Sequence, residues 1–390
     1  MTRSWIVALI AAVLGAQVVR NAIVSAFAET APAAAERVWS GHPHVEISSG
    51  LIAIAKAARE RQPANTAIFA QINDAAAKEP LAADPYLVRG VQAQLSGNLS
   101  LAEQAFRAAS WRDGRSLPAR YFLADLYFRK GDARNGLREV GALARLAPKG
   151  AETVAPYVAA YARNRSNWPQ LRALFRSEPA LEDLALVTLS NDAKNADTVL
   201  ALSNPQRRGP DSLWLPGLLA HLNASAQYAK ARQVWARVSR VRLDQNSLIY
   251  DPQFVRSEAP PPFNWLLASS TLGLAERQQG GGLHVLYYGQ EDGALAEQLL
   301  TLPAGRYRFL NQLMGTPTNG ASLQWALQCH GTNVPIASAG LDVASRGWRF
   351  DVPATCRAQR LELVGSSSDM PQQAEARIRG VSLVLERRNG

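Results

Sequence analysis

The order of hydrophobic and polar residues changes twice along the chain and divides it into three stretches. Residues 1–30 are almost continuously apolar, residues 31–255 place apolar side chains at helical spacing between short breaks of Gly, Pro or Asn, and residues 263–390 alternate with period two. Three consecutive prolines in residues 256–262 cannot continue a helix and predict a Pro-rich linker. We therefore predict a multidomain α + β chain with an N-terminal membrane helix, an α-solenoid and a C-terminal antiparallel β-sandwich.

The amino-terminal stretch has two interpretations. The apolar run of residues 5–28 is long enough for a membrane anchor, since a bilayer needs about 20 residues, and Arg20 lies off its middle, from where a long side chain can reach the headgroups. Alternatively, Ala26-Phe27-Ala28 is a small-x-small site, and a signal peptide would be cleaved after Ala28. We favour retention. With Arg3 inside, the remaining chain is exported in either case.

The helical stretch contains an internal repeat with an offset of 34 residues. Small residues at Gly90 and Ala102 would let two antiparallel helices approach closely, and Gly97 would end the first helix in the left-handed conformation that Gly adopts without strain. Equivalent positions recur in the second unit. The residues that we expect to pack or turn in the two units are Gly90, Gly97, Ala102 and Phe106, then Ala124, Gly131, Gly136 and Val140.

These positions resemble the tetratricopeptide repeat (TPR) family. Residues 97–102 and 131–133 are similar to the turn between that family's helices, and residues 123–128 are similar to its first helix. A third unit around Tyr157 is degenerate. A fourth, marked by Trp214, Tyr228, Ala231 and Trp235, lies out of the 34-residue phase. The resemblance implies a groove that binds a protein or peptide rather than performs catalysis, and an ordinary helical bundle is the alternative.

The period-two stretch predicts a jelly roll of eight or nine short strands. The expected strands include residues 283–288, 295–302, 306–310, 323–329, 348–352, 360–364 and 376–385. The segment from Leu302 to Tyr307, with its Pro-x-Gly turn, resembles jelly-roll modules of the carbohydrate-binding type. That resemblance implies a polysaccharide site, and a purely structural or protein-contacting sandwich is the favoured alternative. Trp265, Trp325 and Trp348 are candidates to stack on sugar rings, but Trp residues within strands, such as Trp325 and Trp348, more often belong to the core.

The two cysteines, Cys329 and Cys356, flank predicted strands in an exported domain, so we expect a disulfide, and two separate buried thiols are the alternative. His42-Pro43-His44 is a weak metal motif and is predicted to be a solvated linker, and His221 is predicted to pack within a repeat. The Gly280-Gly281-Gly282 run is expected to be a turn. We predict no cofactor, no metal site and no catalytic residues.

Composition narrows the class of partner. The 390 residues are 47% hydrophobic and 19% charged, which excludes a disordered chain and a polytopic membrane protein. The formal net charge is +10, of which residues 1–260 carry +9 and residues 261–390 carry +1. Because the chain is expected to be exported and lacks a basic-aromatic cluster in its sequence, a nucleic-acid partner is disfavoured.

The combined interpretation is a non-catalytic protein of the bacterial inner membrane with a single span and a periplasmic bulk. Its order of anchor, repeats and sandwich resembles accessory factors of bacterial polysaccharide export, which implies a scaffold for partner proteins in cell-envelope or exopolysaccharide assembly. The alternative is a glycan-binding module that uses the helical repeats as a spacer. If the leader is cleaved, the protein would be soluble in the periplasm or secreted.

Overall fold

A computed structural model of the chain describes residues 2–28, 30–60, 62, 65–147, 149–242, 248–332, 335–368 and 372–386. The chain divides into two compact units, Met1–Val154 and Ala155–Gly390. The first unit is helical. The second begins with helices and ends in two antiparallel sheets. Helical repeats therefore precede a β-sandwich, as the hydrophobic pattern predicts.

The first unit contains eight helices in its described residues. They are α1 (Thr2–Phe27), α2 (Pro32–Trp39), α3 (Pro43–Arg59), α4 (Thr66–Lys78), α5 (Asp84–Leu95), α6 (Leu99–Arg112), α7 (Leu117–Arg129) and α8 (Ala133–Leu146). The long apolar helix α1 has the length and composition of a membrane span over Val7–Phe27. The histidines of the predicted linker lie instead at the corner between α2 and α3, because Pro43 is the first residue of α3.

Helices α5 and α6 form one hairpin, and α7 and α8 form a second with the same turn. Gly97 and Gly131 have φ angles of 78° and 75°, so both turns use the left-handed conformation that favours Gly. In each turn the following backbone N–H closes back over the helix end: Asn98 N donates to Ala93 O and Asp132 N to Tyr127 O, both at 2.8 Å. The same side chains, Asn98 and Asp132, then cap the N-termini of α6 and α8.

The second unit begins with six helices in its described part. They are α9 (Gly150–Ala162), which starts just before the division, α10 (Trp168–Ser177), α11 (Pro179–Ser190), α12 (Ala196–Leu202), α13 (Leu215–Ala224) and α14 (Tyr228–Val238). The α13–α14 turn repeats the geometry of the first unit, since Gln227 N donates to Leu222 O at 2.9 Å. Here Ala226 takes the left-handed position, with φ of 54°.

The sandwich contains ten strands in the described residues and one short helix. They are β1 (Leu266–Leu267), β2 (Gly273–Arg277), β3 (Leu283–Tyr287), β4 (Gly293–Leu300), β5 (Gly305–Leu313), β6 (Leu323–Cys329), β7 (Pro335–Gly340), α15 (Leu341–Arg346), β8 (Trp348–Val352), β9 (Gln359–Gly365) and β10 (Ala374–Leu385). The sheet orders are β1-β4-β9-β6-β7 and β2-β3-β10-β5-β8. Strands β3 to β10 thus contribute four strands to each sheet in the order of a jelly roll, with β1 and β2 as added edges.

The sandwich core is rich in aromatic side chains. Trp325 lies between the sheets with its ring centroid 5.0 Å from that of Phe309 and 6.0 Å from that of Trp265. Trp265, Trp325 and Trp348 are all at most 5% exposed. These three tryptophans are core residues, so they are not available to stack on a sugar.

Cys329 and Cys356 form a disulfide with a Cα–Cα distance of 5.6 Å, which confirms the predicted pairing. Cys329 ends β6, and Cys356 precedes β9, the neighbour of β6 in the first sheet. Cys356 is buried. The bridge therefore ties the approach to β9 to the end of the strand beside it.

The proline segment at 256–262 is packed against its surroundings within the second unit. Trp235 of α14 donates its Nε1–H to Pro260 O at 2.7 Å, and its ring lies 5.6 Å from that of Phe263. Leu299 N of β4 donates to Pro262 O at 2.8 Å. The last helical hairpin and the sandwich are thus joined by contacts through this segment.

Candidate protein-binding surface

An open cleft of about 440 Å³ lies on the first unit, between the second helices of its two hairpins. Its floor consists of Ala108, Leu123 and Tyr127, and the latter two are at most 5% exposed. Its rim carries Arg107, Ser110, Trp111, Arg138 and Glu139. We call this surface the Arg–Trp cleft.

Trp111 is the most conspicuous residue of the cleft, because 76% of its surface is exposed. The buried stripe of α6 follows Ala102, Phe106 and Ala109, at helical spacing, and Trp111 lies outside that stripe. Its neighbour Arg112 holds this end of the helix, since Arg112 Nε donates to Pro80 O at 2.7 Å. A large indole on the polar side of a helix is typical of a binding surface.

The cations around the cleft outnumber the carboxylates. Glu139 is 3% exposed and is paired with Arg120 Nη1 at 2.7 Å. Glu103 is paired with Lys130 Nζ at 2.5 Å. Arg107 Nη1 also lies 4.0 Å from Glu103 Oε1, and Arg138 Nε lies 3.7 Å from Glu139 Oε1. Four cations therefore share two carboxylates, and the cleft keeps a net positive charge. The side chains of Arg107 and Arg138 are 69% and 67% exposed, respectively.

The floor of the cleft is hydrophobic despite its one phenol. Burial raises the pKa of Tyr127 above its usual value, and the nearby carboxylate of Glu103 adds to the shift. Tyr127 therefore stays neutral at all physiological pH values. An apolar floor, an exposed indole and two exposed guanidinium groups together suit a peptide that carries an apolar side chain next to a carboxylate.

The predicted packing residues lie around the first two hairpins. Ala102 and Phe106 are fully buried, and a Cβ on Gly90 would come within 2.3 Å of the Phe106 ring, so α5 and α6 pack where only Gly fits. A Cβ on Gly136 would come within 2.9 Å of the Phe128 ring. Ala124 is 5% exposed. These residues position the helices that bear the cleft.

Sequence reasoning missed Arg107, Trp111 and Arg138. The signal was present in the pattern: Trp111 breaks the apolar stripe of α6, and an out-of-phase Trp marks an exposed indole. The two arginines line one cleft because α6 and α8 both pack against α7, an arrangement that the 34-residue repeat predicts in outline but not in register.

The other candidate residues do not assemble a chemical site. The prediction for His221 was wrong, because it is exposed on α13 with Nδ1 2.8 Å from Gly217 O. Gly280, Gly281 and Gly282 form the turn between β2 and β3, all with positive φ. Among the described residues, no three His, Cys, Asp or Glu side chains form a group that could hold a metal ion.

No protein-family model matches the chain, and no curated protein is significantly similar to it. Among solved structures, the chain is similar to the crystal structure of yeast Tom70, with a TM-score of 0.27 and 13% sequence identity. The likeness covers 54% of this chain and 45% of the Tom70 chain, so the matched part is less than half the length of that protein. A likeness at this level assigns no function.

Proposed function

We propose that this protein is a non-catalytic scaffold, held at a membrane by α1, that binds an acidic segment of a partner protein in the Arg–Trp cleft. The observation that carries the proposal is the exposed Trp111, which lines one cleft with the exposed side chains of Arg107 and Arg138 above a buried apolar floor. Aromatic and Arg side chains dominate the binding energy of protein interfaces. The net charge of +9 on residues 1–260 favours the same class of partner.

The cellular setting is part of the proposal. The apolar helix α1 supports attachment to the bacterial inner membrane, with the repeats and the sandwich in the periplasm. The disulfide between Cys329 and Cys356 supports an oxidising compartment. The order of anchor, repeats and jelly roll resembles accessory factors of polysaccharide export, so we place the partner in cell-envelope or exopolysaccharide assembly.

Charge reversal in the cleft tests the proposal. The full chain, purified from its native membranes, is compared with a variant carrying Arg107→Glu and Arg138→Glu, and the co-purified proteins are quantified. We expect the affinity of the variant for the specific partner to fall at least tenfold, which corresponds to about 1.4 kcal/mol. The partner should therefore be lost from the proteins that co-purify with the variant. Binding by the unaltered protein should also weaken as the salt concentration rises.

The matched control reverses two exposed arginines outside the cleft, Arg115→Glu and Arg163→Glu, and changes the net charge by the same amount. The control should keep the partner. Equal loss of the partner from both variants would show that binding depends only on the overall positive charge of the protein. Retention of the partner by both would place the binding surface elsewhere.

A further inference from the structure

Helix α1 changes its surroundings abruptly at Arg20. Before this residue, the large apolar side chains are each more than half exposed: Val7, Leu9, Ile10, Val13, Leu14, Val18 and Val19. Because successive residues are rotated by about 100°, these side chains lie on every side of the helix. A helix that is apolar all round is suited to an apolar environment on all sides, which a lipid bilayer provides.

After Arg20, the same helix belongs to the folded unit. Val24 and Ala28 are at most 1% exposed and pack with Ala35 of α2 and Val45 of α3, with Trp39 against them. The last two turns of α1 are therefore part of a small hydrophobic core. Bilayer and core cannot both surround these residues, so the membrane must end before Val24.

Arg20 itself marks the boundary. Its Nε donates to Val38 O at 3.2 Å, and its guanidinium carbon lies 4.1 Å from the centroid of the Trp39 ring. The charge is thus engaged with α2 rather than left within lipid. Trp side chains favour the headgroup region of a membrane, so Trp39 beside Arg20 suits this depth.

The length of the remaining span agrees with this boundary. Seventeen steps of about 1.5 Å separate Arg3 from Arg20, a distance of about 26 Å along the helix. The hydrocarbon core of a bilayer is about 30 Å thick, and a slightly short span is accommodated by local thinning. The stretch between the two arginines is therefore sufficient to cross the membrane.

We propose that α1 crosses the bilayer only as far as Arg20, and that residues 20–28 form the first part of the folded helical unit. The membrane span then continues into the fold as one helix without a flexible linker. Cleavage after Ala28 would remove Val24 and Ala28 from the core that they share with α2 and α3, so the leader is retained. This inference rests on the membrane attachment in the proposed function but not on the Arg–Trp cleft.

Cysteine labelling of the full chain in lipid nanodiscs tests the boundary, because a membrane-impermeant maleimide reaches both faces of a nanodisc but not its lipid interior. The two native cysteines are paired and do not react. The probes are Leu14→Cys, Asn21→Cys and Ser25→Cys, all at exposed positions of α1, and Gly41→Cys is the exposed control. Amino-terminal sequencing of the protein from its host accompanies the labelling.

We expect the cysteine at position 14 to react only after detergent is added, and those at positions 21, 25 and 41 to react without it. Protection at positions 21 and 25 as well as 14 would overturn the boundary and leave the anchor intact. An amino terminus beginning after Ala28 would overturn both the boundary and the membrane attachment. Reaction at position 14 without detergent would show that α1 does not enter the bilayer.

Discussion

The three hairpin turns of the same geometry differ at one residue, which makes the backbone conformation testable. Gly97 and Gly131 occupy the left-handed position in the first unit, and Ala226 occupies it in the second. A Cβ on Gly131 would meet no atom within 4 Å, so substitution there acts through backbone strain alone. The left-handed conformation costs a residue with a Cβ roughly 1–2 kcal/mol.

We therefore expect Gly131→Ala to reduce stability by about 1 kcal/mol and Ala226→Gly to increase it by a similar amount, since part of the strain is offset by the entropy of the unfolded chain. Chemical denaturation of the full chain measures both. Gly114→Ala is the control, because Gly114 has open space around it and no positive φ. Shifts of the same sign in the two turn variants would contradict the shared geometry.

The side chains that cap α6 and α8, Asn98 and Asp132, predict that the stability of the two hairpins depends differently on pH. Hydrogen bonds from the Asn135 side chain and backbone N–H lower the pKa of Asp132 below its usual value. The carboxylate therefore stabilises the fold above its ordinary pKa of 3.8, and this contribution is lost as the pH falls through the lower folded-state pKa. Asn98 caps the equivalent helix without a charge.

Asp132→Asn should preserve the cap and remove its pH dependence. We expect the melting temperatures of this variant and the unaltered protein to differ at pH 7 and to converge toward pH 3. Asn98→Asp, the reciprocal variant, should acquire the dependence that Asp132→Asn loses. A difference that stays constant over this pH range would show that Asp132 does not act through its charge.

Helix pairing was predictable where the repeat keeps its length, and not where the length changes. Asn98 and Asp132 are 34 residues apart and cap equivalent helices. In the second unit, Asn164 and Asp192 begin equivalent 3₁₀ turns only 28 residues apart. The shorter unit arises mainly because a single residue, Glu178, joins α10 to α11, whereas residues 113–116 join α6 to α7. A search at period 34 therefore sees only a degenerate unit.

The strands, too, were predictable in some cases and not in others. Strands with bulky residues on alternate positions, such as β6 and β8, were predicted to the residue, since their large apolar side chains are buried. Strands β1, β2 and β7 were not among the expected strands. β7 reads Pro-Ile-Ala-Ser-Ala-Gly and lies at a sheet edge, where small side chains and an initial Pro are tolerated and the period-two signal is weak.

At the level of paired helices, Ala102→Leu should overpack the contact between α5 and α6. Ala102 is fully buried, and the neighbouring Gly90 already contacts the Phe106 ring. We expect a loss of about 1 to 3 kcal/mol in the free energy of unfolding. Gln104→Leu, on the exposed side of the same helix, is the control and should change stability little. Equal stability of the two variants would refute the helix contact.

At the level of paired strands, replacing both Cys329 and Cys356 with Ser should lower the stability of the sandwich. The bridge closes a loop of 27 residues, which is worth about 3 to 4 kcal/mol in the chain-entropy model. The variant should still bind its partner through the Arg–Trp cleft, which lies in the other unit. Mass spectrometry that finds two free thiols in the protein from its host would contradict the bridge.

The whole molecule combines an apolar amino-terminal helix, helical hairpins and a jelly roll, and the hydrophobic pattern predicted these three parts. The pattern did not predict the Arg–Trp cleft, because that surface depends on which residues of α6, α7 and α8 line the same cleft. It also left the fate of the leader open, which the packing of Val24 and Ala28 addresses. The proposed function depends on surfaces that form when helices pack together, whereas the hydrophobic pattern specifies only the individual helices and strands.

Site-specific photocrosslinking tests the central claim most directly. A photoreactive phenylalanine derivative replaces Trp111 in one variant and Tyr157, an exposed aromatic residue of the second unit, in another. After irradiation of intact membranes, we expect position 111 to yield a discrete adduct whose crosslinked peptide is rich in Asp and Glu. Combining this probe with Arg107→Glu and Arg138→Glu should abolish the adduct. Position 157 should yield none. Absence of an adduct at position 111, or an adduct that survives the charge reversal, would contradict partner binding in this cleft.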